Sequence, residues 1–250
     1  MKSMIKAAAL GLAITLALSF SAGAGDPLKG LSTNGLNGKV GAYPVGMQLT
    51  LRDHRDFVSG HYFYVKTLID IPLTGRMEGD TLTLQEPGGG VFRLHLVSNV
   101  PGRKEPLTFY NSTSLAGTWT QGAKTLPVEL GLSGGYDGPP RARHYEEMTD
   151  EPDAVFEARA GRFLKAVVRG DRAAAAQAVS YPLLVNGARP RTIRNKAELL
   201  ARWDSIFTPT FVADLRNAVP HEMFVRQGMA MVGDGDVWFD AKGAKVINRQ

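Results

Sequence analysis

His54 stands in Asp53-His54-Arg55-Asp56, where a neighbouring carboxylate could orient an imidazole as a general base. Charged residues of this kind also collect in hairpin turns, and a solvated loop between two strands is the reading favoured here. His61 and His95 could approach each other across a sheet and begin a zinc site. Zinc needs three or four ligands, and neither H-x-H nor H-E-x-x-H accompanies them. His95 shares its strand face with Val91, Arg93 and Val97, opposite Phe92, Leu94 and Leu96, which places it at the surface. Asp234-Gly235-Asp236 has the carboxylate spacing that opens a calcium loop. The third acid, the loop glycine and the closing glutamate are missing, so an Asp-Gly hairpin turn accounts for it. No metal and no cofactor are expected.

Phosphate chemistry has no better support. Gly88-Gly89-Gly90 lies between strand-like runs and lacks the helix N-terminus that a phosphate-binding glycine loop needs. No G-x-S-x-G, P-loop or G-x-G-x-x-G stands in a strand–helix setting. Arg189, Arg191, Arg194 and Lys196 form a basic run without interleaved aromatic rings, so base stacking is absent and no nucleic-acid partner is expected.

The elements that must position these groups follow a leader. Lys2 and Lys6 precede an apolar stretch, Ala7 to Phe20, broken only by Gly11, Thr15 and Ser19, and Ala22-Gly23-Ala24 follows. A basic start, a short apolar core and an A-x-A-like end make residues 1–24 a secretory signal, too short to span a membrane. Cleavage after Ala24 would leave an exported chain, periplasmic or secreted, with no membrane anchor. The leader carries two of the 29 basic residues and no acid, so the mature chain has 27 against 24, a mild +3. The chain has no cysteine. Disulfides and a lipidated cysteine are therefore excluded, and packing alone must hold the fold.

From Lys39 to Leu132 the apolar positions alternate. Val45, Met47, Leu49 and Leu51 fall on one face, as do Phe92, Leu94 and Leu96, with Glu78-Gly79-Asp80, Pro87-Gly88-Gly89-Gly90 and Pro101-Gly102 between runs. Short alternating strands with glycine-rich turns predict an antiparallel all-β domain over 25–132, a meander or small barrel. Residues 133–149, beginning Ser133-Gly134-Gly135, have no apolar period and read as a linker.

Residues 150–250 open with helical spacing. Phe156, Ala160, Phe163, Leu164 and Val167 share one helix face after Pro152, and Gly170 ends that helix. Asp171 and Asn195 cap two further helices, and strand-like pieces from Glu222 to Asn248 close the chain.

The order of these elements resembles the nuclear-transport-factor-like superfamily. The likeness is carried by Phe163-Leu164-Lys165-Ala166-Val167-Val168-Arg169-Gly170-Asp171, Tyr181-Pro182-Leu183, Ile193 to Leu200 and Gly233-Asp234-Gly235-Asp236-Val237-Trp238-Phe239. It covers roughly the last 95 residues and rests on element order. The N-terminal half looks like β-meander modules of exported bacterial proteins. The resemblance implies an α+β class, with a C-terminal cone whose curved antiparallel sheet wraps a long helix. Residues that would face such a cone are Tyr181, Asp204, His221 and Trp238, and those expected to bind ligand are Tyr181, Trp203, His221 and Trp238. No acid–tyrosine pair at the spacing of the family's enzymes is present.

These readings lead to an exported, non-catalytic binding or scaffolding protein of the cell envelope, with a small-molecule or protein ligand and a homodimer contact through the C-terminal sheet. Two rivals stand beside it. One is a small-molecule enzyme (isomerase, dehydratase or hydrolase) acting in the cone. The other is an inhibitor or immunity partner of a secreted enzyme.

Overall fold

The computed structural model describes residues 28–102 and 104–249. The leader expected at residues 1–24 lies outside them.

Eight strands come first: β1 (Leu31–Val40), β2 (Tyr43–Arg52), β3 (Asp56–Tyr64), β4 (Ile71–Glu78), β5 (Thr81–Gln85), β6 (Val91–Val97), β7 (Ser114–Gln121) and β8 (Lys124–Asp137). Each pairs antiparallel with its successor, and β8 returns to β1, so the sheet closes into a barrel with no free edge. Closure brings backbones very close at two glycines. A Cβ on Gly38 would stand 1.9 Å from the Glu129 carbonyl oxygen, and one on Gly117 would stand 2.0 Å from that of Arg93. The interior is solid. Val40, Leu49, Leu51, Leu82, Leu84, Phe92, Leu94 and Leu115 have no exposed surface, so side chains fill the lumen. Thr33 and Thr50 share a 3.0 Å hydrogen bond and the Tyr62 hydroxyl donates to Glu86, whereas the buried Trp119 indole N–H has no partner among the described residues.

The second unit is built on α1 (Asp153–Arg169), whose buried face includes Phe156, Ala160, Phe163, Leu164 and Val167. Gly170, at φ +70°, ends it by donating to the Ala166 and Val167 carbonyls. Short elements follow: α2 (Arg172–Gln177), β9 (Val179–Asn186), β10 (Arg191–Ile193), α3 (Lys196–Ala201), α4 (Trp203–Ile206) and α5 (Pro209–Leu215). Asp171, Asn195 and Thr208 cap α2, α3 and α5 by accepting from backbone N–H groups. The chain ends in β11 (Phe224–Arg226), β12 (Met229–Val232), β13 (Val237–Asp240) and β14 (Gly243–Asn248). These strands form a six-stranded sheet in the order β10-β9-β14-β13-β12-β11. Phe163, Phe207, Phe211 and Phe239 join helices to sheet in one apolar core.

The expected α+β class with a C-terminal cone is overturned. The described residues are 45% strand and 19% helix, dominated by the eight-stranded barrel and a second sheet. The reason is length: after α1 no helix exceeds seven residues, whereas strands occupy both halves. The second sheet is also not the antiparallel one expected, because β14 runs parallel to β9. Residues 133–137, read as linker, extend β8, and all but Ser133, at a bulge, pair with β1. In the same stretch Tyr145 is wholly buried in the second core. Among the described residues no helix is long and apolar enough to cross a membrane.

Candidate functional site

A cavity of about 1450 Å³ forms a cleft between the outer wall of the barrel and the second unit. One side is the outer surface of β1, β2 and the end of β8, where Gly35, Gly38, Gly131 and Gly135 keep the wall low. The other side comes from α5, the 216–223 segment and the β12–β13 turn. Arg141 leans over the Tyr136 ring, 4.4 Å from its centroid, and both line the cleft. Asp214, Asp234 and Asp236 form an acidic rim. Burial, with Asp214 and Asp234 nearby, raises the Asp236 carboxyl above its ordinary value.

At the cleft's edge the two units are joined by a hydrogen-bonded ion network. His61, on β3, donates from Nε2 to Glu222 Oε1 at 2.6 Å. His221 donates from Nδ1 to Glu157 Oε2 at 2.7 Å and from Nε2 to Asp70 Oδ1 at 3.0 Å. Asp70 belongs to the barrel's β3–β4 loop and Glu157 to α1, so His221 bridges the units. Glu157 Oε1 also accepts from the Tyr145 hydroxyl and from the Glu222 backbone N–H, both at 3.0 Å. That hydroxyl in turn accepts from the Met223 N–H at 2.9 Å. The Phe63 ring meets His221 edge to face at 4.4 Å.

The electrostatics of this cluster decide its chemistry. Burial alone would lower the His221 pKa, but its hydrogen bonds to Asp70 and Glu157, and their charges, outweigh that and raise it to about 10. His61 is raised for the same reason, through Glu222 and Asp70 against the cost of burial. Burial acts to raise Asp70, yet the His221 hydrogen bond and the nearby imidazoles hold it below the usual carboxylate range. An imidazolium with both nitrogens donating, fixed at neutral pH, has no lone pair to take a proton. The cluster is therefore suited to joining the units and poorly suited to general-base catalysis. Among the described residues no set of three or more histidines and carboxylates is placed to hold a metal ion.

Of the four residues expected to bind ligand, only His221 lines the cleft. Trp203 is buried in the second core, 4.2 Å from Phe207 between ring centroids, with the Arg172 guanidinium over its ring. Tyr181 is half-buried and its hydroxyl donates to the Ala176 carbonyl at 3.1 Å. Burial pushes that phenol up to about 12. Trp238 is half-buried on β13, with Val237 and Phe239 pointing the opposite way into the core. Asp204 is exposed and pairs with Arg172 at 2.6 Å. His61 and His95 are on non-neighbouring strands, and His95 bonds Thr81 at the surface. His54 lies in the β2–β3 turn, within 3.2 Å of the Ser32 hydroxyl.

The residues missed by sequence reasoning are Asp70, Tyr145, Glu157 and Glu222. Glu157 had a local signal, since it follows Phe156 on the edge of the buried face of α1. The others are linked only by the fold: 161 positions separate His61 from Glu222. Comparison with protein-family models, with curated proteins and with solved structures returns no match.

Proposed function

We propose that this chain is an exported, non-catalytic binding protein of the cell envelope whose ligand seats in the cleft between barrel and second unit. The observation that carries the reading is the state of His221. The best-placed imidazole at the cleft is held as an imidazolium by two carboxylates, so the site offers contacts rather than a base. The cleft is larger than the roughly 300–1,000 Å³ of ordinary small-molecule pockets. Its walls mix apolar residues such as Phe63, Val219 and Phe224 with Gln48, Asn217 and Arg249. That lining favours an extended amphiphilic ligand, such as a short peptide or glycan segment, over a compact metabolite. Export rests on the Lys2–Ala24 leader pattern.

The test is native mass spectrometry of the protein purified from its own host's envelope, beside a Gly131→Trp variant. Gly131 faces the cleft, and a Cβ there meets nothing closer than 3.8 Å, so the indole fills the cleft without straining the barrel. A ligand that co-purifies with the wild type and is lost from the variant supports the reading. A ligand retained by the variant, or a wild type that carries none, overturns the cleft as its seat. Recovery of the intact chain from the cytosol overturns the export.

A further inference from the structure

A second concavity, about 500 Å³, shares no residue with the cleft. It lies between α1, α2 and the β13–β14 turn, and its lining is strongly one-signed. Arg159, Arg162, Lys165 and Arg169 of α1 meet Lys242 of the turn, against a single carboxylate, Asp171. The helical spacings of three, three and four residues place the α1 cations along one stripe. Arg159 is already engaged: it holds Glu151 at 2.7 and 2.5 Å and donates to the Ala241 carbonyl. The Asp171 carboxylate is committed to capping α2, accepting from the Ala174 N–H at 3.0 Å. Arg162, Lys165, Arg169 and Lys242 remain exposed, and among the described residues no carboxylate lies within ion-pair distance of them.

Like charges along one helix face repel, so this stripe is a net cost to the fold when empty. A multivalent anion in the groove converts that repulsion into attraction. We propose that this groove binds a ligand carrying at least two phosphate groups, either a free polyphosphorylated small molecule or the two-phosphate headgroup of a phospholipid. Two guanidinium forks suit the paired oxygens of phosphate, and two ammonium groups add point charge. Ala166, Ala174 and Ala178 make the floor shallow enough for close approach. No aromatic ring lines it, which argues against stacked nucleobases.

The experiment is isothermal titration of the mature chain with sodium tripolyphosphate at 0.15 M salt, paired with sedimentation on vesicles containing cardiolipin, whose headgroup carries two phosphates. Wild type is compared with Arg162→Ala/Arg169→Ala, and with Arg189→Ala/Arg194→Ala, exposed residues on either side of β10, as the control. A saturable 1:1 isotherm, weakened about tenfold or more in the groove variant and unchanged in the control, supports a free phosphorylated ligand. Vesicle binding with the same dependence on the groove, and no tripolyphosphate isotherm, identifies a lipid headgroup as the source. Absence of both, or equal loss in the two variants, overturns the proposal. Unchanged or raised melting temperature in the groove variant, where repulsion has been relieved, shows that lost binding is not lost folding. Because the cleft shares none of these residues, either site can fail without the other.

Discussion

His61 Nε2 and Glu222 Oε1 lie 2.6 Å apart, joining a barrel strand to the segment that leads into β11. Glu222 is held there with φ +49°, in the left-handed region that residues with a Cβ rarely adopt. Its N–H bond to Glu157 and its carboxylate bond to His61 together fix that conformation. Glu222→Ala and Glu222→Gly both lose the carboxylate, but only Gly escapes the backbone cost. Urea unfolding should therefore find Glu222→Ala less stable than Glu222→Gly by about 1 kcal/mol.

Glu157 accepts three hydrogen bonds with two oxygens. Removing it leaves a buried hydroxyl, a backbone N–H and an imidazolium without their acceptor. Glu157→Ala should cost about 3–5 kcal/mol. Glu157→Gln, which keeps one acceptor oxygen, should cost less, about 1–3 kcal/mol. Denaturant midpoints of the two variants check the ordering.

Tyr145→Phe isolates one member of the network. The hydroxyl donates to Glu157 and accepts from Met223 N–H in a site with no solvent exposure. Its loss strands that N–H, and a destabilisation of about 1–3 kcal/mol is expected by thermal or urea unfolding.

The pH dependence of stability follows from the directions of the shifts. His221 is raised from 6.5 to about 10, so its contribution is fully present below 6.5 and disappears as pH rises through about 10. His61 acts in the same direction. Asp70 is lowered from 3.8, so its contribution is present above that value and disappears as pH falls through the depressed one. The gap in melting temperature between wild type and His221→Gln should be widest between about pH 4 and 6.5 and narrow steadily toward pH 10.

The two tryptophans should separate. Trp203, in the core, should cost about 3–5 kcal/mol on replacement by Ala. Trp238, half-buried on the outer face of β13, should cost roughly 1–2 kcal/mol. Equal losses in a urea series would show that Trp238 is packed more deeply than its exposure indicates.

Local features were legible in the sequence because local chemistry sets them. Val45, Met47, Leu49 and Leu51 alternate with polar or small residues, and all four point into the barrel. Phe156, Ala160, Phe163, Leu164 and Val167 recur at helical spacing, and α1 buries that face. Gly170, Asp171 and Asn195 act as the stop and caps their types indicate. Local pattern left meander and small barrel as alternatives and did not decide closure, because the pairing of β1 with β8 joins residues about a hundred positions apart. Nor did it decide the parallel placement of β9 beside β14, which no single strand encodes. The same limit applied to the site. Aromatic residues and tyrosine drew attention to Trp203, Trp238 and Tyr181, whereas the cleft's ion network depends on Asp70, Glu157 and Glu222, charged residues that resemble any solvated surface until the two units meet.

The proposal that the cleft is non-catalytic rests on the proton count of one imidazole, His221. Two-dimensional ¹H–¹⁵N spectroscopy of His221, followed across pH, reads it directly. Both ring nitrogens protonated at pH 8, with a midpoint well above 6.5 and near 10, is the expected result. A neutral ring at pH 8 with its midpoint at or below 6.5 would leave a free base at the cleft, and would contradict the non-catalytic account.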